Sequence, residues 1–115
     1  MKFTILALLV FLLSCCFYVH SSSPIILGVS NAQSGPAEKL GNRLNLGAQL
    51  YFDQLNANGG IQHRPVQLVS LDDGYEPYRA VKNTYQLLNR KDVFALFNYV
   101  GTPTSHAVLP IVEQN

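Results

Sequence analysis

Cysteine is almost absent from this 115-residue sequence, and its two cysteines lie side by side near the start, at positions 15 and 16. The polypeptide that follows cannot form a disulfide framework or a thiolate metal site. The histidines do not offer a metal site either, because His63 and His106 have no ligand spacing to a third donor. We therefore expect neither a disulfide nor a bound metal in the main part of the chain.

An excess of positive charge is also missing. The sequence has eight Lys and Arg residues against seven Asp and Glu, and the first 23 residues contain only Lys2 among them, which leaves seven of each sign from Pro24 onward. The basic residues form no stripe. Nucleic acid is therefore not an expected partner.

Motifs of nucleotide-dependent enzymes and hydrolases are missing as well. The loop at residues 31–36 lacks the G-x-G-x-x-G pattern, and no Walker-type lysine loop occurs. No serine lies in a nucleophile elbow, and no His/Asp set supports a triad. Asp72 and Asp73 form a carboxylate pair, yet nothing near them in sequence completes a metal or ribose site. We expect no enzymatic activity and no cofactor.

The first 23 residues have the pattern of a secretory signal. Lys2 precedes an apolar run over residues 3–19, and small side chains at Val19 and Ser21 favour cleavage after Ser21. Two alternatives remain. Leu12-Leu13-Ser14-Cys15 resembles a lipobox, which would attach lipid to Cys15, and the apolar run could stay uncleaved as an anchor. We predict a signal peptide at residues 1–23 and an exported domain at residues 24–115.

The exported part alternates between continuous apolar segments and amphipathic ones. Strands are predicted at residues 25–30, 66–71 and 93–97, and helices at residues 42–58, 77–91 and from 102 onward. Thr102 is predicted to cap the third helix, and Pro110 to kink or end it early. The order β-α-β-α-β-α predicts an α/β fold with a three-layer, Rossmann-like parallel sheet.

Three loops should meet where ligands bind to such sheets, outside the carboxyl ends of the strands. They are residues 33–36, 72–74 and 98–105. The third loop joins a glycine, several hydroxyl residues and a helix start, and the free N–H groups there favour a carboxylate or another anion. Two interpretations stay open: a ligand-binding loop, or a helix start in which Thr102 only caps and Gly101 only turns.

Several segments resemble one known family. They are V-S-N-A-Q-S-G-P at residues 29–36, N-A-N-G-G-I at residues 56–61, D-D followed by Pro77, and G-T-P-T-S at residues 101–105. Together they are similar to the first lobe of type I periplasmic binding proteins of the branched-chain amino-acid (Leu/Ile/Val) group. The resemblance covers nearly the whole chain after the signal.

The resemblance implies a periplasmic protein of two α/β lobes that close on an amino acid or a related carboxylate or amide. Such a protein delivers the solute to an ABC permease in the inner membrane. The family's ligand-binding positions correspond to Tyr99, Gly101, Thr102 and Thr104, with Ser34 and Leu40 near the rim of the cleft. Leu40 replaces a frequent aromatic residue and Gly101 a frequent serine, which weakens the case for a leucine-like ligand.

Two other functions are compatible with the same pattern. The fold could be the ligand-sensing extracytoplasmic domain of a signalling protein, with residues 3–19 kept as its anchor, or a truncated remnant without a ligand. The sequence stops within a helical pattern, so part of the lobe is expected to be missing. We also expect residues 24–115 to be only marginally stable and prone to associate through an unpaired apolar strand edge.

Overall fold

The computed structural model describes residues 22–115. The predicted signal peptide, its cleavage after Ser21 and the alternative lipid anchor at Cys15 lie outside the described residues. The described elements are β1 (Ile25–Asn31), α1 (Glu38–Ala57), β2 (Val66–Asp72), α2 (Pro77–Leu88), β3 (Val93–Leu96) and α3 (Thr102–Val112). The predicted alternation of strands and helices is confirmed.

The three strands form one parallel sheet in the order β2-β1-β3. Strand β1 lies in the centre, and its register with β2 runs without interruption from Ile25 opposite Val66 to Asn31 opposite Asp72. The pairing of β1 with β3 is shorter and irregular next to Ile26. Because all strands run the same way, their carboxyl ends meet at one edge of the sheet, and the loops that follow them meet there too.

Helices cover both faces of this sheet. Ser30 accepts a hydrogen bond from Asn83 of α2 (3.2 Å), whereas the next residue, Asn31, donates to Asn45 of α1 (2.7 Å). Successive strand residues point to opposite faces, so α1 lies on one face and α2 on the other, with α3 packed beside α2. The predicted three-layer α/β fold is confirmed.

The long helix α1 ends where the sequence indicated. Its C-cap is Asn58, and Gly59 and Gly60 follow with φ angles of 101° and 69°. The N–H of Gly60 donates to the carbonyl of Leu55 (3.0 Å). Glycine accepts these positive φ angles without steric cost, which explains the stop at this point.

The predicted cap of α3 at Thr102 and an early end of α3 at Pro110 are wrong. The N-cap position belongs to Gly101, with no side-chain cap hydrogen bond, and Thr102 is the first helical residue. The helix also passes through Pro110 and ends at Val112. Proline in the last turn removes a single backbone donor, and the carbonyl it would have bonded belongs to His106, an exposed residue. Among the helices of residues 22–115, none has the length and apolar character that a membrane span requires.

Candidate functional site at the carboxyl edge of the sheet

Asp72 joins the loops that follow β1 and β2. Its Oδ1 accepts hydrogen bonds from the backbone N–H groups of Gln33 (2.8 Å), Ser34 (3.1 Å) and Gly74 (2.9 Å). The hydroxyl of Ser34 donates to Oδ2 of the same carboxylate (2.6 Å). The predicted rim residue Ser34 is thus fixed at the edge of the sheet, and its proton is already used.

The charge of Asp72 is balanced by Arg79 at the start of α2. Arg79 Nη2 lies 2.8 Å from Asp72 Oδ2 and 3.0 Å from the Asp72 carbonyl oxygen. Burial acts to raise the pKa of Asp72, but the hydrogen bonds from Ser34, Gln33, Gly74 and Arg79 together hold that pKa well below its ordinary value. Asp72 therefore organises the two loops as a carboxylate, and its oxygens are occupied by donors from the chain itself.

The neighbouring carboxyl group of Asp73 is completely buried. It accepts hydrogen bonds from the Ser30 hydroxyl (3.0 Å) and from the backbone N–H of Tyr75 (2.9 Å). Burial raises the pKa of Asp73, and the two hydrogen bonds act in the opposite direction. The bond from Tyr75 helps to hold that residue at φ 67°, a left-handed conformation that bulky side chains rarely adopt.

The ring of Tyr75, in the loop after β2, lies next to Gly101 in the loop after β3. A Cβ atom built on Gly101 would lie 2.5 Å from a ring carbon of Tyr75 and 2.8 Å from the Thr104 hydroxyl oxygen. Gly101 has φ 108°, a value that also favours glycine. The sequence analysis did not identify Tyr75 as a site residue. The only sequence signal is its place directly after the Asp-Asp-Gly turn.

Tyr99, a predicted ligand contact, turns its hydroxyl toward α2. The Thr84 hydroxyl donates to the carbonyl of Ala80 (2.8 Å), so it is the Tyr99 hydroxyl that donates to Thr84 Oγ1 (2.9 Å). Burial raises the pKa of Tyr99. The tyrosine also lines a cavity of about 270 Å³ between β3 and α3, together with apolar residues such as Leu96 and Val108. Only part of Tyr99 therefore remains for contact with a solute.

Thr104 is buried, and its hydroxyl faces the preceding turn. Its Oγ1 lies 2.7 Å from the carbonyl oxygen of Val100 and 3.0 Å from that of Gly101, which share its proton. The hydroxyl of this predicted ligand residue therefore uses its proton within the turn. Thr102, by contrast, is exposed.

The backbone at the start of α3 offers donors. The first hydrogen bond of this helix runs from Ser105 N–H to the Gly101 carbonyl (2.8 Å). The N–H groups of Thr102 and Thr104 come before this first hydrogen bond and have no acceptor within the helix, while Pro103 has no N–H. The N–H group of the exposed Thr102 and the positive end of the helix dipole therefore lie together at the carboxyl edge, whereas Thr104 is buried.

An asparagine cluster supports the start of the third loop. Asn45 accepts hydrogen bonds from the side-chain amides of Asn31 (2.7 Å) and Asn98 (3.1 Å), and Asn31 also donates to the Asn98 carbonyl (3.3 Å). Asn98 has φ 58°, which asparagine tolerates better than most residues. The sequence analysis missed this cluster because its members are widely separated along the chain.

Within residues 22–115, no group of three or more His, Cys, Asp or Glu side chains could hold a metal ion. The candidate site is an arrangement of loop backbone, hydroxyl groups and the rings of Tyr75 and Tyr99, with Asp72 paired and Asp73 buried.

Residues 24–115 match the family model described as periplasmic binding protein. The chain belongs to this family. An amino acid binding protein of Pseudomonas aeruginosa is 29% identical over 94 residues, which cover 82% of the chain and 24% of the relative. The predicted membership in the branched-chain amino-acid group of these periplasmic binding proteins is confirmed.

Two solved structures illustrate the match in three dimensions. A possible leucine/isoleucine/valine-binding protein from Rhodopirellula baltica superposes with a TM-score of 0.77 at 35% identity, covering 86% of the chain and 27% of that protein. A fatty acid ABC transporter substrate-binding protein from Thermomonospora curvata gives 0.75 at 32% identity, covering 80% and 23%. The chain thus spans about a quarter of the length of these relatives.

The fold places the six predicted ligand residues in the loops and first helical turns that follow β1 and β3. Ser34 is bonded to Asp72, and Gly101 lies beside both the ring of Tyr75 and the hydroxyl of Thr104. Leu40 lies on the first turn of α1 with 51% of its surface exposed. The contact of any of these residues with a ligand remains a prediction.

Proposed function

We propose that this chain contributes to the solute-binding component of an ABC-type importer and acts in the periplasm. Its ligand is an amino acid or a similar small solute that carries a carboxylate. Family membership supports the binding role. The names of the relatives support the choice of chemistry, because an amino acid and a fatty acid share a carboxylate group.

The observation that carries the proposal is the N–H donor of the exposed Thr102 at the start of α3. The N–H groups of Thr102 and Thr104 precede the first intrahelical bond, which ends at Gly101. Among the described residues at this edge, Asp72 is paired with Arg79 and Asp73 is buried. Neither of these two carboxylates therefore opposes an anion at a helix start that attracts one.

The remainder of the binding site and the transport partner belong to the same proposal. Relatives about four times longer carry further structure that can close over this edge. We infer that a second lobe supplies the other half of the cleft and that an ABC permease in the inner membrane receives the solute. The chain's own part is to hold the carboxylate end.

A proline substitution tests the backbone donor directly. Thr102→Pro removes one N–H at a position where proline fits the first helical turn, and Gly101 has ψ 127°, within the range that the residue before a proline prefers. Thr102→Ala is the matched control, because it keeps the N–H and removes only the hydroxyl. The probes are L-leucine, L-isoleucine, L-valine and isovalerate, and the readout is isothermal titration calorimetry.

We expect Thr102→Pro to weaken binding by roughly ten- to a hundredfold, because a hydrogen bond to a charged group contributes ~1.5–3 kcal/mol. Thr102→Ala should weaken it at most about tenfold, the value of a neutral hydrogen bond. Equal affinities of wild-type protein and Thr102→Pro for every probe that binds would contradict the proposed role of this helix start.

A further inference from the structure

Helix α1 carries two leucines on the side that faces away from the sheet. Leu46 and Leu50 expose 59% and 61% of their surface. Two residues along an α-helix correspond to about 200° of rotation, so these leucines point away from the half-buried Ala48 and Phe52. Phe52 packs edge-on against Phe97 at the end of β3, which fixes the inward side of the helix.

The two leucines belong to a longer stripe with a regular spacing. Arg43, Leu46, Leu50 and Asp53 follow one another at intervals of three, four and three residues and are all exposed. This is the spacing at which side chains of one helix meet those of a partner helix in a seam. Beside the stripe, a Cβ atom on Gly47 would have no heavy atom within 4 Å, so a second backbone can approach closely.

The stripe is complementary to itself. Arg43 and Asp53 are equally distant from Ala48 in sequence, and so are Leu46 and Leu50. Consider two copies of α1 that lie antiparallel and cross at the level of Ala48 along the helix axis. Each Leu46 then faces the other copy's Leu50, and each Arg43 faces the other copy's Asp53. A two-fold interface requires this property, because the same patch must match itself.

We propose that α1 is a homodimer contact, in which the stripe of Arg43, Leu46, Leu50 and Asp53 packs antiparallel on the same stripe of a second copy. Gln49 donates to Asp53 Oδ1 (2.7 Å) and orients that carboxylate, whose other oxygen can receive the arginine of the second copy. A second copy fits better than an unrelated partner, because the opposite charges are placed symmetrically about the leucines.

The contact is distinct from the exposed sheet edge at β3 and from the proposed solute site. Tyr51 and Leu44 are also exposed on α1, at 63% and 39%, but they lie on its flank, between the stripe and the sheet-facing side.

A single helix pair buries less surface than a standard protein–protein interface, so the dimer is weak and forms at high protein concentration.

Sedimentation velocity of the purified protein over a concentration series tests this inference by charge exchange. Arg43→Glu and Asp53→Arg each place like charges opposite one another twice in the dimer, so each variant should raise the dimer dissociation constant at least several-fold. The double variant Arg43→Glu/Asp53→Arg restores both pairs and should return to within a few-fold of the wild type. Lys82→Glu changes an exposed charge on α2 and should have no effect.

Three results would overturn the dimer. They are a monomer at every concentration, a dimer that none of the α1 charge variants weakens, and a double variant no better than the single ones. If Phe94→Lys on β3 abolishes self-association while the α1 variants do not change it, the contact lies at the sheet edge. Circular dichroism of each variant checks that α1 remains folded.

Discussion

At the scale of single residues, two adjacent carboxyl groups have opposite surroundings. Asp72 accepts hydrogen bonds from three backbone N–H groups, one hydroxyl and Arg79, which favour its charged form. Asp73 is fully buried, which disfavours its charged form. Asp72 supports the loops through its charge, whereas Asp73 positions Tyr75 at an electrostatic cost.

This contrast predicts that the contributions of Asp72 and Asp73 to folding stability depend on pH in opposite directions. The pKa of Asp72 in the folded protein is below its ordinary value of 3.8. The carboxylate therefore contributes fully to folding stability at a pH well above 3.8, and this contribution is lost as the pH falls. The folded-state pKa of Asp73 is above 3.8, so its contribution is complete at low pH and is lost as pH rises.

Urea unfolding of wild-type protein, Asp72→Asn and Asp73→Asn at several pH values measures the effect. The stability lost in Asp72→Asn should shrink from pH 7 toward about pH 3, because Asp72 of the unfolded chain becomes protonated there while the folded protein keeps the carboxylate charged. The stability of the wild type relative to Asp73→Asn should grow over the same range. A parallel change in the two differences would show that the two environments are misassigned.

Gly101 and Gly59 offer a matched test of the contact with Tyr75. Their φ angles are 108° and 101°, but only Gly101 has a neighbour where a Cβ would lie. Gly101→Ala should cost about 1–3 kcal/mol more than Gly59→Ala, the usual cost of overpacking. Chemical denaturation gives both values. Equal costs would mean that the tyrosine ring moves aside freely.

Sequence reasoning placed the loops of the candidate site better than it described their side chains. The positions of Ser34 and Gly101 at strand ends followed from the parallel topology alone. The buried hydroxyl of Thr104 did not, because its orientation depends on the local turn at Val100. Tyr75 was missed because its left-handed backbone depends on Asp73, which only the fold brings near Ser30.

At the scale of elements, strands and helices were predictable where apolar periodicity was strong. All three strands lie within two residues of their predicted bounds, and the stop after α1 followed from Gly59 and Gly60. The start of α1 was predicted four residues too late, since no side chain caps it. Helix α3 differs from its prediction at both ends, because Gly101 replaces a side-chain cap and Pro110 is tolerated within the last turn.

The unpaired edge of β3 predicts aggregation through pairing with a strand of another chain, which differs from the α1 contact. Phe94 exposes 73% of its surface on this edge strand, and Tyr78 on α2 exposes a similar 75%. Lysine on a strand edge opposes pairing with another chain, so Phe94→Lys should slow aggregation several-fold, whereas Tyr78→Lys should not. Light scattering during incubation at mild urea concentration compares the two variants.

Both substitutions are at exposed positions, so the free energy of unfolding should change by no more than about 0.5 kcal/mol in each. If Tyr78→Lys slows aggregation as much as Phe94→Lys, general surface charge and not the strand edge controls association.

At the scale of the whole molecule, the α/β class, the parallel sheet and the family could all be predicted from the sequence. The order of strands and helices fixes the class, and the loops at residues 29–36 and 101–105 carry the family resemblance. The nature of the solute could not be predicted, because the chain spans about a quarter of its relatives' length and a solute contacts the whole cleft. The side of the sheet at which we expect the solute follows from topology.

The central claim is that the carboxyl edge of the sheet binds the carboxylate of a small solute. Titration of ¹⁵N-labelled protein with L-leucine, isovalerate and acetate, followed by amide chemical shifts, tests it most directly. The account predicts saturable shifts at Gly101, Thr102 and Thr104, with the turn from Ile61 to Arg64 at the opposite end of the strands unchanged. Shifts confined to that turn, or no saturable shift with any of the three probes, would contradict it.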